Sequence, residues 1–194
     1  MLVIAPHADD GEFGAGALIS KCATQDADIY YAAFAAGTTN DSECLAATSV
    51  LGIPNKNVEV YEYKTREFSY SRQSILDKLI ALKAAIRPSI VLVPSVRDTH
   101  QDHRVVAEEC VRAFKDISVL AYELPWNDWD FKPRHYSTFD DLHLGLKLEA
   151  IAKYRSQEER YYANPDFIRS LAVVRGTQVK AKYAEAFEVI RWID

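Results

Sequence analysis

The sequence predicts an α/β fold: a mostly parallel central sheet covered by helices on both faces, three layers in all. Two observations predict it. Short apolar runs alternate with helical periods along most of the chain, and two of those runs, LVIA at residues 2–5 and IVLV within residues 89–94, are apolar at every position. A strand covered on both faces needs apolar side chains on both, whereas a half-exposed strand alternates. Repeated strand–helix units then favour parallel pairing through crossover helices.

The elements follow in order. Residues 2–5 form a strand ended by Pro6, and residues 13–23 a helix. Residues 28–34 (DIYYAAF) give a second strand, broken by Gly37, Thr38, Thr39 and Asn40. Residues 42–51 read as a helix, with Ser42 as N-cap and Gly52 just past its end. Residues 58–63 resemble a third strand. Ile75, Leu76, Leu79, Ile80, Leu82 and Ile86 recur at helical spacing until Pro88. Residues 89–94 are a strand, 103–114 a helix and 118–122 a fifth strand. The aromatic, proline-containing stretch 124–138 reads as a long loop. Helices are expected over residues 139–162 and 166–182, and residues 187–193 as an extra edge strand. Neither a repeat nor a linker interrupts the pattern, so residues 1–194 read as a single domain.

Bulk composition narrows the function. The 48% apolar and 26% charged content is globular. A net charge of −5 with scattered basic residues disfavours a nucleic-acid partner, which calls for a basic face. Cys22, Cys44 and Cys110 are widely spaced within helical patterns, the habit of reduced, buried thiols. MLVIAP is too short for a signal peptide, and no stretch reaches the ~18 apolar residues of a membrane span. These readings lead to the expectation of a cytoplasmic protein.

Two polar strips sit where a parallel sheet places its ligands, just past the C-terminal ends of strands. The first is His7-Ala8-Asp9-Asp10-Gly11-Glu12, followed by Gly14 and Gly16; the second is Asp98-Thr99-His100-Gln101-Asp102-His103. Imidazole and carboxylate are the usual ligands of a catalytic zinc, which takes three protein ligands and keeps one position open. Either strip alone has a plain alternative, a helix cap with an acidic first turn. A dinucleotide loop is disfavoured, because the Gly-x-Gly-x-x-Gly pattern beginning at Gly14 fails at Ile19. Three of the five histidines fall in these strips, so together they favour a metal site.

The strips resemble those of the LmbE-like (PIG-L) de-N-acetylases, whose pattern is His-Pro-Asp-Asp-Glu followed by glycines, with a later His-Pro-Asp-His. Arg175-Gly176 and Tyr183-Ala184-Glu185-Ala186-Phe187 resemble the family's C-terminal region. The resemblance implies a Rossmann-like three-layer sandwich and zinc-dependent removal of acetyl from an N-acetylated amino sugar or sugar conjugate. By it, His7, Asp10 and His103 hold one Zn2+ per chain, other divalent metals being acceptable to the same donors. Asp9 is the general base, His100 stabilises the oxyanion or protonates the amine, and Asp102 orients a neighbouring imidazole. Ala8 and Gln101 stand where the family has proline, and Gly11 where it has glutamate, with Glu12 one place later.

Arg66 is the candidate substrate-binding residue, for a phosphate or sugar hydroxyls, with Arg72 also near the predicted rim. Trp126, Trp129 and Tyr136 suit stacking on a sugar ring or a subunit contact, so a homo-oligomer stays open. His135 and His143 lack metal-ligand neighbours. The competing readings are a metal-dependent amidase or phosphoesterase on a non-sugar substrate, a non-enzymatic ligand-binding module, and an inactive member of the family.

Overall fold

The structure is a computed structural model that describes residues 1–35 and 41–194. The predicted break at Gly37–Asn40 lies outside the described residues. Seven strands form one sheet: β1 (Leu2–His7), β2 (Tyr30–Ala35), β3 (Val58–Val60), β4 (Ile90–Pro94), β5 (Ser118–Tyr122), β6 (His135–Phe139) and β7 (Tyr183–Arg191). Their order is β3-β2-β1-β4-β5-β7-β6. Pairs from β3 to β5 are parallel, whereas β7 runs antiparallel to both β5 and β6. The helices are α1 (Asp10–Ala23), α2 (Asp41–Val50), α3 (Arg72–Ile86), α4 (Gln101–Ala113), α5 (Asp141–Ile151) and α6 (Pro165–Thr177).

The apolar strands divide their side chains between two cores. Val3, Ala5, Leu92 and Leu120 pack with Ile19 of α1, Ala47 of α2 and Ala150 of α5. Leu2, Ile4, Val91 and Val93 face the other way, against Leu79 of α3 and Val106 of α4. Alternate residues of one strand thus feed opposite layers, which is why β1 and β4 carry no polar position in their centres. The chain crosses from β1 toward β2 on one side and returns to β4 on the other. The ends of β1 and β4 therefore flank the point where the strand order reverses, the usual ligand crevice of an open parallel sheet.

Several expectations are corrected. The expected edge strand 187–193 is the later part of a strand that begins at Tyr183 and ends at Arg191, and β7 lies inside the sheet, with β6 at the edge. The expected loop 124–138 contains the start of β6. The expected helix 139–162 is α5 followed by two 3₁₀ turns, Arg155–Gln157 and Tyr161–Ala163. Helix α2 starts at Asp41, so Ser42 sits inside its first turn and not at the cap. Gly52 does end that helix, with φ +88 in the left-handed region that glycine enters at no steric cost.

Helix α1 is two helices joined at a break, with Ala15 at φ −143 and ψ 15. A break strands backbone donors and acceptors, and here distant side chains satisfy them. The buried Glu185 carboxylate of β7 accepts from Ala17 N–H (2.9 Å) and Leu18 N–H (2.7 Å). Lys147 of α5 donates to the Phe13 carbonyl (2.7 Å) and pairs with Glu185 (2.7 Å). The glycines allow the approach: a Cβ on Gly14 would enter the Tyr122 ring, and one on Gly16 would stand 3.1 Å from Lys147 Cγ. Removing one partner of a buried ion pair leaves the other charge stranded. Lys147→Met should therefore cost about 3 kcal/mol in urea unfolding; a loss under about 1 kcal/mol would mean that the break is held by other contacts.

Candidate active site

His7 ends β1, Asp9 and Asp10 open α1, and His100, Asp102 and His103 lie at the start of α4, after β4. The sheet brings the two strips face to face. His7 Nδ1 lies 3.3 Å from Asp10 Oδ2, His103 Nε2 lies 3.2 Å from the same oxygen, and the two ring nitrogens are 3.1 Å apart.

The ring protons can be placed from the partners behind. Ionised carboxylates only accept hydrogen bonds. His7 Nε2–H therefore donates to Asp102 Oδ2 (3.1 Å), and His103 Nδ1–H donates to Asp98 Oδ2 (2.7 Å). This leaves His7 Nδ1, His103 Nε2 and Asp10 Oδ2 as three lone-pair donors converging on one point. Atoms bound to one tetrahedral cation at ~2.0–2.1 Å stand about 3.3 Å apart, so the triangle has the size a divalent metal requires. Carboxylates behind the imidazoles are the usual outer partners of such ligands.

The same crowding appears in the acidities. Burial would pull the His7 ring down, but Asp10 and Asp102 raise it to about 9. At His103, Asp10 and Asp98 likewise overcome burial and raise it to about 10. Burial works to raise Asp10, yet His103 and His7 hold it well below the usual carboxylate range. The three groups thus perturb one another strongly, the imidazoles upward and the carboxyl downward.

His100 stands next to the triangle. One ring nitrogen each from His7, His100 and His103 lies within 4.8 Å, a looser set than the triangle with Asp10. The 3.1–3.3 Å set matches a metal's ligand spacing better, and His100 Nδ1 already accepts Asp102 N–H (3.2 Å) as the cap of α4. Its Nε2 remains for other work. Burial, then His103 and His7, pull His100 down to about 4, so its ring is a neutral donor.

Asp102 ties three segments together. It is fully buried and accepts from His7, from Arg66 N–H (2.6 Å) and from Phe68 N–H (3.3 Å). Asp9 lines the cavity beside Asp10, and burial together with Asp10 pushes its carboxyl up to about 7.

The cavity, about 300 Å³, is also lined by Phe13, Arg66, Trp126, Asn127, Gln157, Arg160 and Tyr162. Trp126 and Tyr162 stack at 4.2 Å and 14°, and Phe13 meets both edge-on at 5.4 and 5.3 Å. The predicted site residues His7, Asp9, Asp10, Arg66, His100 and His103 all line this space, with Asp102 directly behind.

Other candidates fall away. Arg72 pairs with Glu108 and Glu109 on α4. Trp129 is exposed away from the cavity, and Tyr136 bonds Gln178. His143 contacts Ser20, and His135 stacks on Trp192. Asp98, Gln157, Arg160 and Tyr162 received no role from the sequence. Asp98 stands five residues before His103 in the same strip, a readable spacing; the other three sit on the irregular segment after α5, which carries no periodic signal.

Glu12 is fully buried behind the first strip. Tyr31 and Tyr154 hydroxyls both contact its carboxylate, the latter at 2.6 Å, and both reach the Ala8 carbonyl, at 2.9 and 2.5 Å. Burial pushes the Glu12 carboxyl up to about 8. A Cβ on Gly11 would lie 2.6 Å from Tyr31 Cε2, so this tyrosine occupies the space of a side chain at position 11.

The sequence profile of the family described as PIG-L, GlcNAc-PI de-N-acetylase, matches residues 2–114. The uncharacterized deacetylase YaiS of Escherichia coli (strain K12) is 28% identical over 174 residues, 80% of this chain and 90% of that protein. Diacetylchitobiose deacetylase of Thermococcus kodakarensis is 23% identical over 224 residues, 98% of this chain and 82% of that protein. Among solved structures, GalB, the 4-carboxy-2-hydroxymuconate hydratase of Pseudomonas putida KT2440, superposes with a TM-score of 0.78 at 18% identity, covering 100% of this chain and 96% of that one. This last similarity is one of fold alone.

Ligand atoms must shed protons to bind a metal. In the cation-free protein His7 and His103 stay protonated below about 9 and about 10. Titration with a divalent cation at pH 7.5 should release about two protons per ion, and affinity should fall roughly 100-fold per pH unit on acidification. Calorimetry in buffers of different ionisation heat measures the count; no proton release would disprove the assigned donor atoms.

Proposed function

The chain belongs to the PIG-L (GlcNAc-PI de-N-acetylase) family, and from that premise we propose that it is a zinc-dependent hydrolase removing the acetyl group from an N-acetylated amino sugar or sugar conjugate. The observation that carries the reading is the convergence of His7 Nδ1, Asp10 Oδ2 and His103 Nε2 at 3.1–3.3 Å, each imidazole backed by a carboxylate. The donor set of two nitrogens and one oxygen fits zinc and also iron or cobalt. When bound there, the cation would polarise the amide carbonyl and make water acidic enough to attack near neutral pH.

The chain's own residues supply the rest. Asp9, on the same cavity, takes a proton from the attacking water at its carboxylate. Water oxygen adds to the amide carbon, the C–N bond breaks, and the transferred proton goes to the departing amine, giving acetate and the free amino sugar. His100, neutral with Nδ1 engaged at the α4 cap, donates from Nε2 to the amide oxygen as negative charge gathers on it. Asp102 and Asp98 fix the ring tautomers of His7 and His103. Trp126, Tyr162 and Phe13 give the cavity an aromatic wall suited to a sugar's C–H face, and Arg66 reaches the same space. The sugar class is supported by the Thermococcus kodakarensis relative, whose name states a chitobiose substrate.

The test is acetate release from a panel of N-acetylated sugars, with metal-stripped and zinc-loaded protein side by side. Zinc-dependent release supports the reading. Zinc bound with no release from any N-acetyl compound would overturn it in favour of another metal-assisted addition of water. Asp9→Asn should retain zinc and lose at least about 10³-fold in kcat. Asp102→Asn should weaken zinc binding by roughly 10- to 100-fold, the measured range for such outer partners. Asp9→Asn activity near wild type would remove Asp9 as the base.

A further inference from the structure

The cavity holds two guanidiniums without acidic partners. Arg72, Arg97, Arg112 and Arg175 each pair with glutamates within hydrogen-bonding distance. Arg66 and Arg160 line the catalytic cavity and, among the described residues, neither side chain has a carboxylate within 4.0 Å, although Glu158 and Glu159 adjoin Arg160 in sequence. They come from opposite parts of the chain, Arg66 from the connection between β3 and α3 and Arg160 from the segment between the 3₁₀ turns after α5.

Arg66 is held in a costly conformation. Its φ is +70, a left-handed value that a side chain with a Cβ seldom adopts. Asp102 accepts its N–H at 2.6 Å, and Gln101 Nε2 donates to its carbonyl at 3.3 Å, so both backbone groups are fixed to the metal-ligand strip. Arg160 also lines a second groove of about 490 Å³, with Trp126, Tyr161, Tyr162 and Phe167 and with one carboxylate, Glu159, that makes no ion pair with it. Trp126, Arg160 and Tyr162 line both spaces, so a substrate extending from one into the other meets the Arg160 side chain. The residues assigned to metal and base all fall within 2–114, where the family profile matches; Arg160 lies outside that span.

We propose that Arg160 is a specificity-determining residue which, with Arg66, selects an N-acetylated sugar bearing an anionic group, carboxylate or phosphate, away from the scissile amide. This rests on the deacetylase reading. A guanidinium presents planar paired donors that match both oxyanions, and it binds them more strongly than it binds neutral hydroxyls. Both side chains are exposed at the cavity, so a neutral sugar would meet them through hydroxyls alone, whereas an anionic one would add a charge-assisted pair.

Two measurements test it and keep it apart from the function on which it rests. The first is kcat/KM for N-acetylglucosamine, N-acetylglucosamine 6-phosphate and N-acetylmuramic acid, using zinc-loaded wild type, Arg160→Gln, Arg160→Lys and Arg160→Glu. Wild type should prefer at least one anionic sugar over the neutral one, and whether phosphate or carboxylate leads identifies the group. Arg160→Gln should lower that preference by about 10- to 100-fold, chiefly through KM, Arg160→Lys should restore part of it, and Arg160→Glu should invert it. The second is calorimetric binding of glucosamine 6-phosphate and glucosamine to metal-free protein, which needs no turnover. Phosphate-dependent binding lost in Arg160→Gln supports the anion site even if no acetate is ever released. Acetate release with equal preference for neutral and anionic sugars, or an anion preference that survives Arg160→Gln, overturns the assignment and leaves the deacetylase reading standing.

Discussion

Two buried carboxylates decide what the centre of this molecule can bind. Asp102 and Asp98 each accept a hydrogen bond from one ring N–H of an imidazole, and so turn the remaining lone pairs of His7 and His103 toward each other and toward Asp10. Left alone, three acceptors within 3.3 Å repel, and the site answers by retaining protons on both rings. Geometry that is unfavourable without a cation and favourable with one is a form of preorganisation, in which folding energy holds donors at a spacing they would not choose. The rest of the fold keeps that spacing from relaxing: β1 and β4 pair side by side, α4 is capped by His100, and the polar cluster of Glu12, Tyr31 and Tyr154 grips the Ala8 carbonyl from below.

Asp102 also connects chemistry to recognition. Its second role, accepting the backbone N–H groups of Arg66 and Phe68, fastens the loop after β3 to the strip at the start of α4. Any shift of that carboxylate moves an imidazole and an arginine together. The opposite wall is tied to the strips in another way: the Asn127 carbonyl accepts from Thr99 N–H (3.0 Å) and Thr99 Oγ1 (2.9 Å), and Trp126 and Tyr162 meet Phe13 edge-on.

The legible parts of the sequence were those with short-range signals. His7, Asp9 and Asp10, like Asp98, His100, Asp102 and His103, lie within a few residues of one another after apolar strands, so spacing alone located both halves of the centre. Strands β1 and β4 were legible because burial on both faces leaves no polar residue at their centres. Strand β7 was placed at the edge because acids interrupt it: Glu185 and Glu188 are buried, partnered by Lys147 and Arg97 from elsewhere, which a one-dimensional pattern cannot reveal. Strand β6 was hidden for a related reason, being five residues of largely polar character at the true edge. Gln157, Arg160 and Tyr162 were missed because the 3₁₀ turns that aim them have no periodicity of their own.

The break in α1 has a consequence for how the protein is made. The residues proposed for metal binding and proton transfer lie between His7 and His103 and leave the ribosome before β7 does. The donors exposed at the break, Ala17 and Leu18, are satisfied by a carboxylate more than 160 residues downstream. A nascent chain that has already delivered both polar strips still carries two helix amides without this partner, and they stay so until β7 pairs between β5 and β6. Transplanting residues 1–114 into another protein would carry both strips across without the carboxylate that satisfies the break.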